Sequence, residues 1–223
     1  MSTEDERHSK AFDAELIADP VERAKREARN GLKQYDHVIQ AIDYWLSSDQ
    51  RFKLRPSLIL QLNRIALEGI SAYAGNYRPS DIKIEGSRHQ PIGAHLVPEK
   101  VEELCDYVNE HWNLSAIHLA GYVMWRLNWV HPFADGNGRT SRALSYLILC
   151  IRLGEKLPGI LTIPDQISRN KTPYYVALES ADDAFRSGTL GVGEIEKLLK
   201  NLLAAQLLSV VKAAGEPGKP RQQ

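Results

Sequence analysis

The sequence predicts an all-α helical bundle with one small β-hairpin flap. Apolar residues recur at three- and four-residue spacing along most of the 223 residues, which is the period of a helix with one buried face. Prolines stand at the starts of several of these stretches, where their fixed φ and missing N–H do least harm. One segment, between Ala74 and Gly93, changes character and supplies the flap. Hydrophobic residues make up 43% of the chain, enough for one large core or a core with an extra helical arm. Lys+Arg and Asp+Glu balance at 28 each, so no global field draws the chain to nucleic acid or to an anionic membrane.

The elements follow in order. From Phe12 to Trp45 the pattern is helical, with a break near Asp19-Pro20; Val38, Ile39, Ile42 and Trp45 mark its inward face. This N-terminal helical region occupies 1–50 and the main domain 51–214. Within the latter, a helix runs from Pro56 to Ile70. Ala74-Gly75-Asn76-Tyr77-Arg78-Pro79-Ser80 reads as turn, Ile82 and Ile84 as extended chain, and His89-Gln90-Pro91-Ile92-Gly93 as a further turn. Ile82 to Leu96 is therefore expected to present an exposed strand edge. Helices resume over Pro98–Trp112 and Ser115–Val130, with Ser115 as N-cap. The second must stop at His131, because a residue before proline is pushed out of the α region. A new helix starts near Arg139 and carries Ala143, Leu144, Leu147, Ile148 and Ile151. It is apolar on most sides, hence central and buried, and Gly154 ends it. Leu157–Pro164 reads as loop, Pro173–Phe185 and Val192–Ala214 as helices, and 215–223 as a flexible tail.

Cys105 and Cys150 both fall in apolar helical patterns and read as small core residues. No Cys/His cluster suggests zinc, and the polar, acidic start Met1-Ser2-Thr3-Glu4-Asp5-Glu6 is unlike a signal peptide. No stretch approaches a membrane span. The expectation is a cytoplasmic protein without membrane or nucleic-acid partners.

The chemistry concentrates in His131-Pro132-Phe133-Ala134-Asp135-Gly136-Asn137-Gly138-Arg139-Thr140-Ser141-Arg142. Two glycines bracket Asn137, so backbone N–H groups can approach a ligand with no Cβ in the way. They feed a helix N-terminus, a ready anion site. Arg139 and Arg142, three apart, can share a helical face, and their planar forks suit phosphate. Asp135 is a hard oxygen donor of the kind that recruits magnesium beside a phosphate. His131 stands at the loop's start as a general base. Singly, each has a duller role as cap, turn or surface charge. Together they are the kit for nucleotidyl or phosphoryl transfer.

The segment resembles the signature of the Fic family, His-x-Phe-x-Asp/Glu-Gly-Asn-Gly-Arg-x-x-Arg, at every defined position. Gly75-Asn76-Tyr77-Arg78 with Ser87-Arg88-His89-Gln90-Pro91 is similar to the start of the Fic flap, and Pro173-Tyr174-Tyr175-Val176-Ala177-Leu178 to a helix after the core; the likeness extends from about Pro56 to Leu207. The resemblance implies a protein adenylyltransferase that moves AMP from ATP onto a Ser, Thr or Tyr hydroxyl. His131 would deprotonate that hydroxyl and Phe133 anchor the loop. Asp135 would hold Mg2+, and Gly136, Asn137 and Gly138 would form the anion hole. Arg139 would contact the outer phosphates and Arg142 the γ-phosphate. Ile84, Ser87, His89, Ile92 and Gly93 would form the flap on which the target docks. Doc-type kinases of the superfamily carry lysine at the position of Gly138, so glycine favours AMP transfer. Other chemistry on the same loop (UMP transfer, removal of AMP, phosphocholine transfer) and a catalytically silent nucleotide-binding regulator are the alternatives.

Many Fic proteins are restrained by a helix of pattern Ser/Thr-x-x-x-Glu-Gly/Asn whose glutamate pairs with the second motif arginine, here Arg142. The full pattern is absent; Ser2 and Glu6 have the spacing, but Arg7 follows. Either an antitoxin-like partner supplies the restraint, or an atypical glutamate does, with Glu27 as the internal candidate. The leucines of the last helix read as core first and homodimer contact second.

Overall fold

Proline opens five of the eight α-helices among the described residues, as its geometry at a first turn favours. The structure is a computed structural model that describes residues 15–215. Residues 1–14 and 216–223, and with them the expected helical onset at Phe12, the Ser2–Glu6 spacing and most of the tail, lie outside the described residues.

The helices are α1 (Pro20–Ser47), α2 (Pro56–Leu67), α3 (Val97–Glu110), α4 (Ala116–Val130), α5 (Asn137–Leu153), α6 (Ile163–Arg169), α7 (Thr172–Arg186) and α8 (Gly193–Gly215), with a 3-10 turn at Ala94–Leu96 before α3. The expected boundaries hold where capping chemistry set them. Asp19 Oδ1 accepts the Val21 N–H at 2.9 Å, and Ser115 Oγ accepts that of His118 at 3.1 Å. Gly154, at φ 81°, ends α5. The segment read as loop to Pro164 gives way instead to α6, capped by Thr162 Oγ1 on the Asp165 N–H at 3.4 Å. Seven residues are too few to show a helical period in sequence.

The α4–α5 pair forms the centre, with α1, α2, α3, α7 and α8 packed round it. Trp125, Phe133, Tyr146 and Tyr174 are its largest fully buried side chains. Cys105 and Cys150 are buried and unbridged as expected, and burial pushes their thiols up to about 12 and about 11. α1 docks on α2 through amides as well as apolar contacts. Asn30 Nδ2 donates to the carbonyl of Glu68 at 2.9 Å, and Gln34 Nε2 to that of Leu62 at 2.8 Å. Asn30 also reaches the Ala66 carbonyl at 3.3 Å, so its amide serves carbonyls at the end of α2 that the helix's own ladder leaves open. No described helix is long and apolar enough to cross a membrane.

The expected β-hairpin is absent: residues 15–215 contain no strand, only isolated bridges such as Glu15 to Ser71 and a bridge position at Ile84. The turn itself forms, with the Ser87 N–H on the Ile84 carbonyl at 3.3 Å and Gly86 at φ 72°. What replaces the ladder is one side chain. Arg78 donates from Nη1 to the Ser80 carbonyl at 2.9 Å and from Nη2 to that of Ile92. The guanidinium thus bridges the two turns that flank the segment, and Pro79 and Pro91 offer no N–H to a ladder.

Candidate active site

A cavity of about 800 Å³ opens where the start of α1, the 131–138 loop, the flap and α7 meet. His131, Asp135, Gly136, Asn137, Gly138, Arg139 and Arg142 all line it. Ile84, Ser87 and His89 form part of its rim, whereas Ile92 and Gly93 are not among its lining. Trp129, Tyr175, Leu178 and Asp182 add aromatic, apolar and acidic side chains to the lining.

His131 caps α4 at φ 51°, ψ 58°, the one non-glycine residue in the left-handed region among the described residues. Its N–H still reaches the Leu127 carbonyl at 2.9 Å. Proline does expel the residue from the α region, into a left-handed turn rather than extended chain. The Nδ1 atom lies 3.1 Å from the Asn128 carbonyl. A carbonyl can only accept, so Nδ1 carries the proton and Nε2 keeps its lone pair. Burial pushes the imidazole down to about 4, against the pull of the Asn128 carbonyl and with help from His89 and Arg78. At neutral pH the ring is therefore neutral, with the tautomer a base requires.

Loop geometry explains the neighbouring residues. Asn137 turns its side chain back on Phe133, accepting the Phe133 N–H and donating to its carbonyl, both at 2.9 Å. This leaves its backbone N–H as the group free of that side-chain pairing. Phe133 is buried against Tyr77, ring centroids 6.2 Å apart. Gly136 sits at φ 78°, and a Cβ there would meet Asn63 Nδ2 at 3.1 Å. At Gly138 a Cβ would stand 3.1 Å from Arg142 Nη1, so glycine leaves that guanidinium its place.

The charged side chains form a ring. Asp135 Oδ1 accepts the Gly136 N–H. Its Oδ2 takes Arg139 Nη2 at 3.1 Å and Arg23 Nη2 at 2.9 Å. Glu27 Oε1 lies 3.1 Å from Arg23 Nε and 3.4 Å from Arg139 Nη1. The expectation that Glu27 would pair with Arg142 is corrected: the ion pairs it makes are with Arg23 and Arg139. Arg142 turns the other way, its guanidinium carbon 5.9 Å from the Tyr174 ring centre. Burial lowers its pKa, yet an arginine keeps its charge.

Residues 53–149 match the model of the Fic/DOC family. This segment is a Fic domain. A curated relative from Caenorhabditis elegans, "Protein adenylyltransferase fic-1", is 29% identical over 150 residues, covering 66% of this chain and 28% of its own length. A "Probable protein adenylyltransferase" from Aquifex aeolicus is 25% identical over 158 residues, covering 66% and 46%. This chain therefore spans less than half the length of these relatives. Among solved structures, a Fic family protein from Desulfovibrio desulfuricans superposes with a TM-score of 0.63 at 20% identity, covering 91% of this chain and 57% of the other. The Fic domain of Bep5 from Bartonella clarridgeiae gives 0.59 at 17%, covering 92% and 95%. These two likenesses concern the fold.

Four residues that position the Fic loop were not singled out as functional from sequence. Asn63 is fully buried, and its Nδ2 donates to the Asp135 carbonyl at 3.0 Å while its Oδ1 accepts the Gly75 N–H at 3.0 Å. Asn128 Nδ2 lies 2.7 Å from Tyr174 Oη and 2.8 Å from Ser141 Oγ. Arg78 and Arg23 complete the set. The signal for Asn63 was a polar residue in the buried phase of α2, between Ile59, Leu62 and Ala66. Arg23 offered none, being one charge among many on α1. The described residues hold no group of three or more metal-ligating side chains. Asp135 still suits a divalent cation as a hard oxygen donor on the cavity wall, since magnesium commonly takes one or two carboxylates plus substrate phosphates.

Proposed function

We propose that this Fic domain transfers AMP from ATP to a hydroxyl side chain of a protein. The observation that carries the reading is His131, neutral and proton-bearing on Nδ1, beside an anion loop flanked by two arginines. In this reaction the target hydroxyl gives its proton to His131 Nε2 as its oxygen forms a bond to the α-phosphorus. The bond from that phosphorus to the bridging oxygen of the β-phosphate breaks, and pyrophosphate departs with the electron pair. Backbone N–H groups of Gly136 to Gly138, at the N-terminus of α5, face the charge that accumulates on the phosphates. Arg142 and Arg139 hold the departing pyrophosphate by their forks. Bound Mg2+, held by Asp135, would neutralise phosphate charge. The curated relatives named as protein adenylyltransferases support the reaction class.

The target rests on the flap. The sheet-edge docking expected from sequence has no strand to build on, so Ile84, Ser87 and His89 act as a rim rather than as a ladder. His89 is fixed for this, its Nε2 2.8 Å from the Trp129 carbonyl. In the state described here Glu27 holds Arg139, which is the posture of a restrained enzyme.

The deciding experiment incubates the protein with α-labelled ATP and a cell lysate. A band labelled by the wild type and lost with His131→Ala is the expected result. Labelling that persists in the variant would remove His131 from the reaction. ATP binding with no labelled protein under any condition would favour the nucleotide-binding regulator.

A further inference from the structure

We propose that Arg23 and a divalent cation compete for the Asp135 carboxylate, so that α1 carries its own counter-cation which a metal must displace; this rests on reading the cavity as a nucleotide site. The contact spans 112 residues of sequence. Asp135 Oδ1 is committed to the Gly136 N–H, which leaves Oδ2 as the oxygen for a metal. Two guanidinium groups stand on Oδ2, those of Arg23 and Arg139. Arg139 lies in the first turn of α5, next to the loop, and can turn to a phosphate. Arg23 comes from outside the loop, on a first turn fixed by the Asp19 cap. A guanidinium and a divalent cation on one oxygen repel, so each weakens the hold of the other.

An ordinary solvated ion pair would be worth little, and Arg23 and Asp135 are only part-buried, at 26% and 32% side-chain exposure. What separates this pair from that case is the placement of the alternatives. Arg23 Nη1 also lies 3.1 Å from Glu15 Oε1, and its Nε 3.1 Å from Glu27 Oε1. Displaced from Asp135, it keeps two carboxylates. The exchange thus needs no arginine left unpaired and no movement of α1. It also reaches Arg139. Glu27 Oε1 is shared between Arg23 and Arg139, so an Arg23 that leans further onto Glu27 loosens the hold on Arg139. Metal and phosphate binding would then favour one another, as reciprocal linkage requires.

The test uses the full chain without nucleotide or target and follows uptake of Mn2+ alone by loss of the free-ion EPR signal. Arg23→Gln should bind Mn2+ about tenfold more tightly than wild type, and Arg23→Lys, which keeps the charge, within about threefold of it. Arg23→Met, which keeps the aliphatic stem, serves if the glutamine variant fails to fold. In an Asp135→Asn background the gain must vanish. Equal Mn2+ midpoints for wild type and the neutral variants would overturn the proposal, as would a gain that survives Asp135→Asn. Unchanged Mn2+ binding with weakened ATP binding would make Arg23 a phosphate ligand instead. A failure to label any protein would count against AMP transfer and leave this result standing.

Discussion

Arg78 Nε donates to the main-chain carbonyl of His131 at 2.9 Å, and the Arg78 N–H to that of Pro132 at 2.9 Å. One buried side chain therefore ties the flap to the turn that presents the base. Arg78→Ala leaves the His131, Ser80 and Ile92 carbonyls without this donor. The expected loss is about 3 kcal/mol, the scale of breaking a buried charged network, read as a lower urea midpoint. Arg78→Lys, one point charge in place of a fork, should recover only part.

His131→Ala should lower the rate of AMP transfer by roughly two to four orders of magnitude, the usual worth of a positioned base. ATP affinity should stay within about threefold, because the anion loop is untouched. Single-turnover labelling and calorimetry separate the two.

The same histidine predicts a pH dependence of stability. Its folded value is about 4, below the ordinary 6.5. Between those values the unfolded chain binds a proton that the folded chain refuses, so stability falls as pH drops from 6.5 toward 4. At 1.36 kcal/mol per pH unit, the loss is about 3 kcal/mol. Urea midpoints for wild type and His131→Ala should therefore converge or cross on acidification. Parallel curves over this window would show that the imidazole is not buried as a neutral group.

Glu27→Gly should raise transfer by releasing Arg139, to which Glu27 is paired at 3.4 Å. Glu27→Gln should do so nearly as well, because the charge rather than the helix backbone is responsible. Combining either with Arg139→Ala should cancel the gain; an unchanged rate in Glu27→Gly would move the restraint to a partner chain.

Gly138→Ala places a Cβ 3.1 Å from Arg142 Nη1 in a helical position that alanine otherwise favours. Stability should change by under about 1 kcal/mol while ATP affinity falls several-fold as Arg142 is displaced. Equal affinity would mean that Arg142 does not hold nucleotide from its observed place.

The helices and the loop were legible because their rules are local. Asp19-Pro20, Ser115 and Gly154 set boundaries through contacts within four residues. The twelve residues from His131 carry their chemistry in order. The flap was not legible, since Ile82 and Ile84 alternate like a strand and the guanidinium that holds the segment reaches carbonyls up to 53 positions away. The Glu27 partner was misread for a related reason. Arg139 and Arg142 sit one turn apart, yet one faces α1 and the other Tyr174, and helical spacing alone leaves that choice open. The Arg23–Asp135 contact joins α1 to the loop across 112 positions, with no motif at the Arg23 end.

The left-handed conformation of His131 has a bearing on how its chemistry can be probed. A Cβ-bearing residue at φ 51° is strained, and asparagine tolerates that region better than alanine does. An alanine swap therefore changes two quantities at once, the proton acceptor and the ease with which the turn before Pro132 closes. Asparagine at this position removes the imidazole while sparing the turn. The ratio of the two variants' residual rates would then measure how much of the histidine's influence is architectural, a separation that deletion of the side chain alone cannot make.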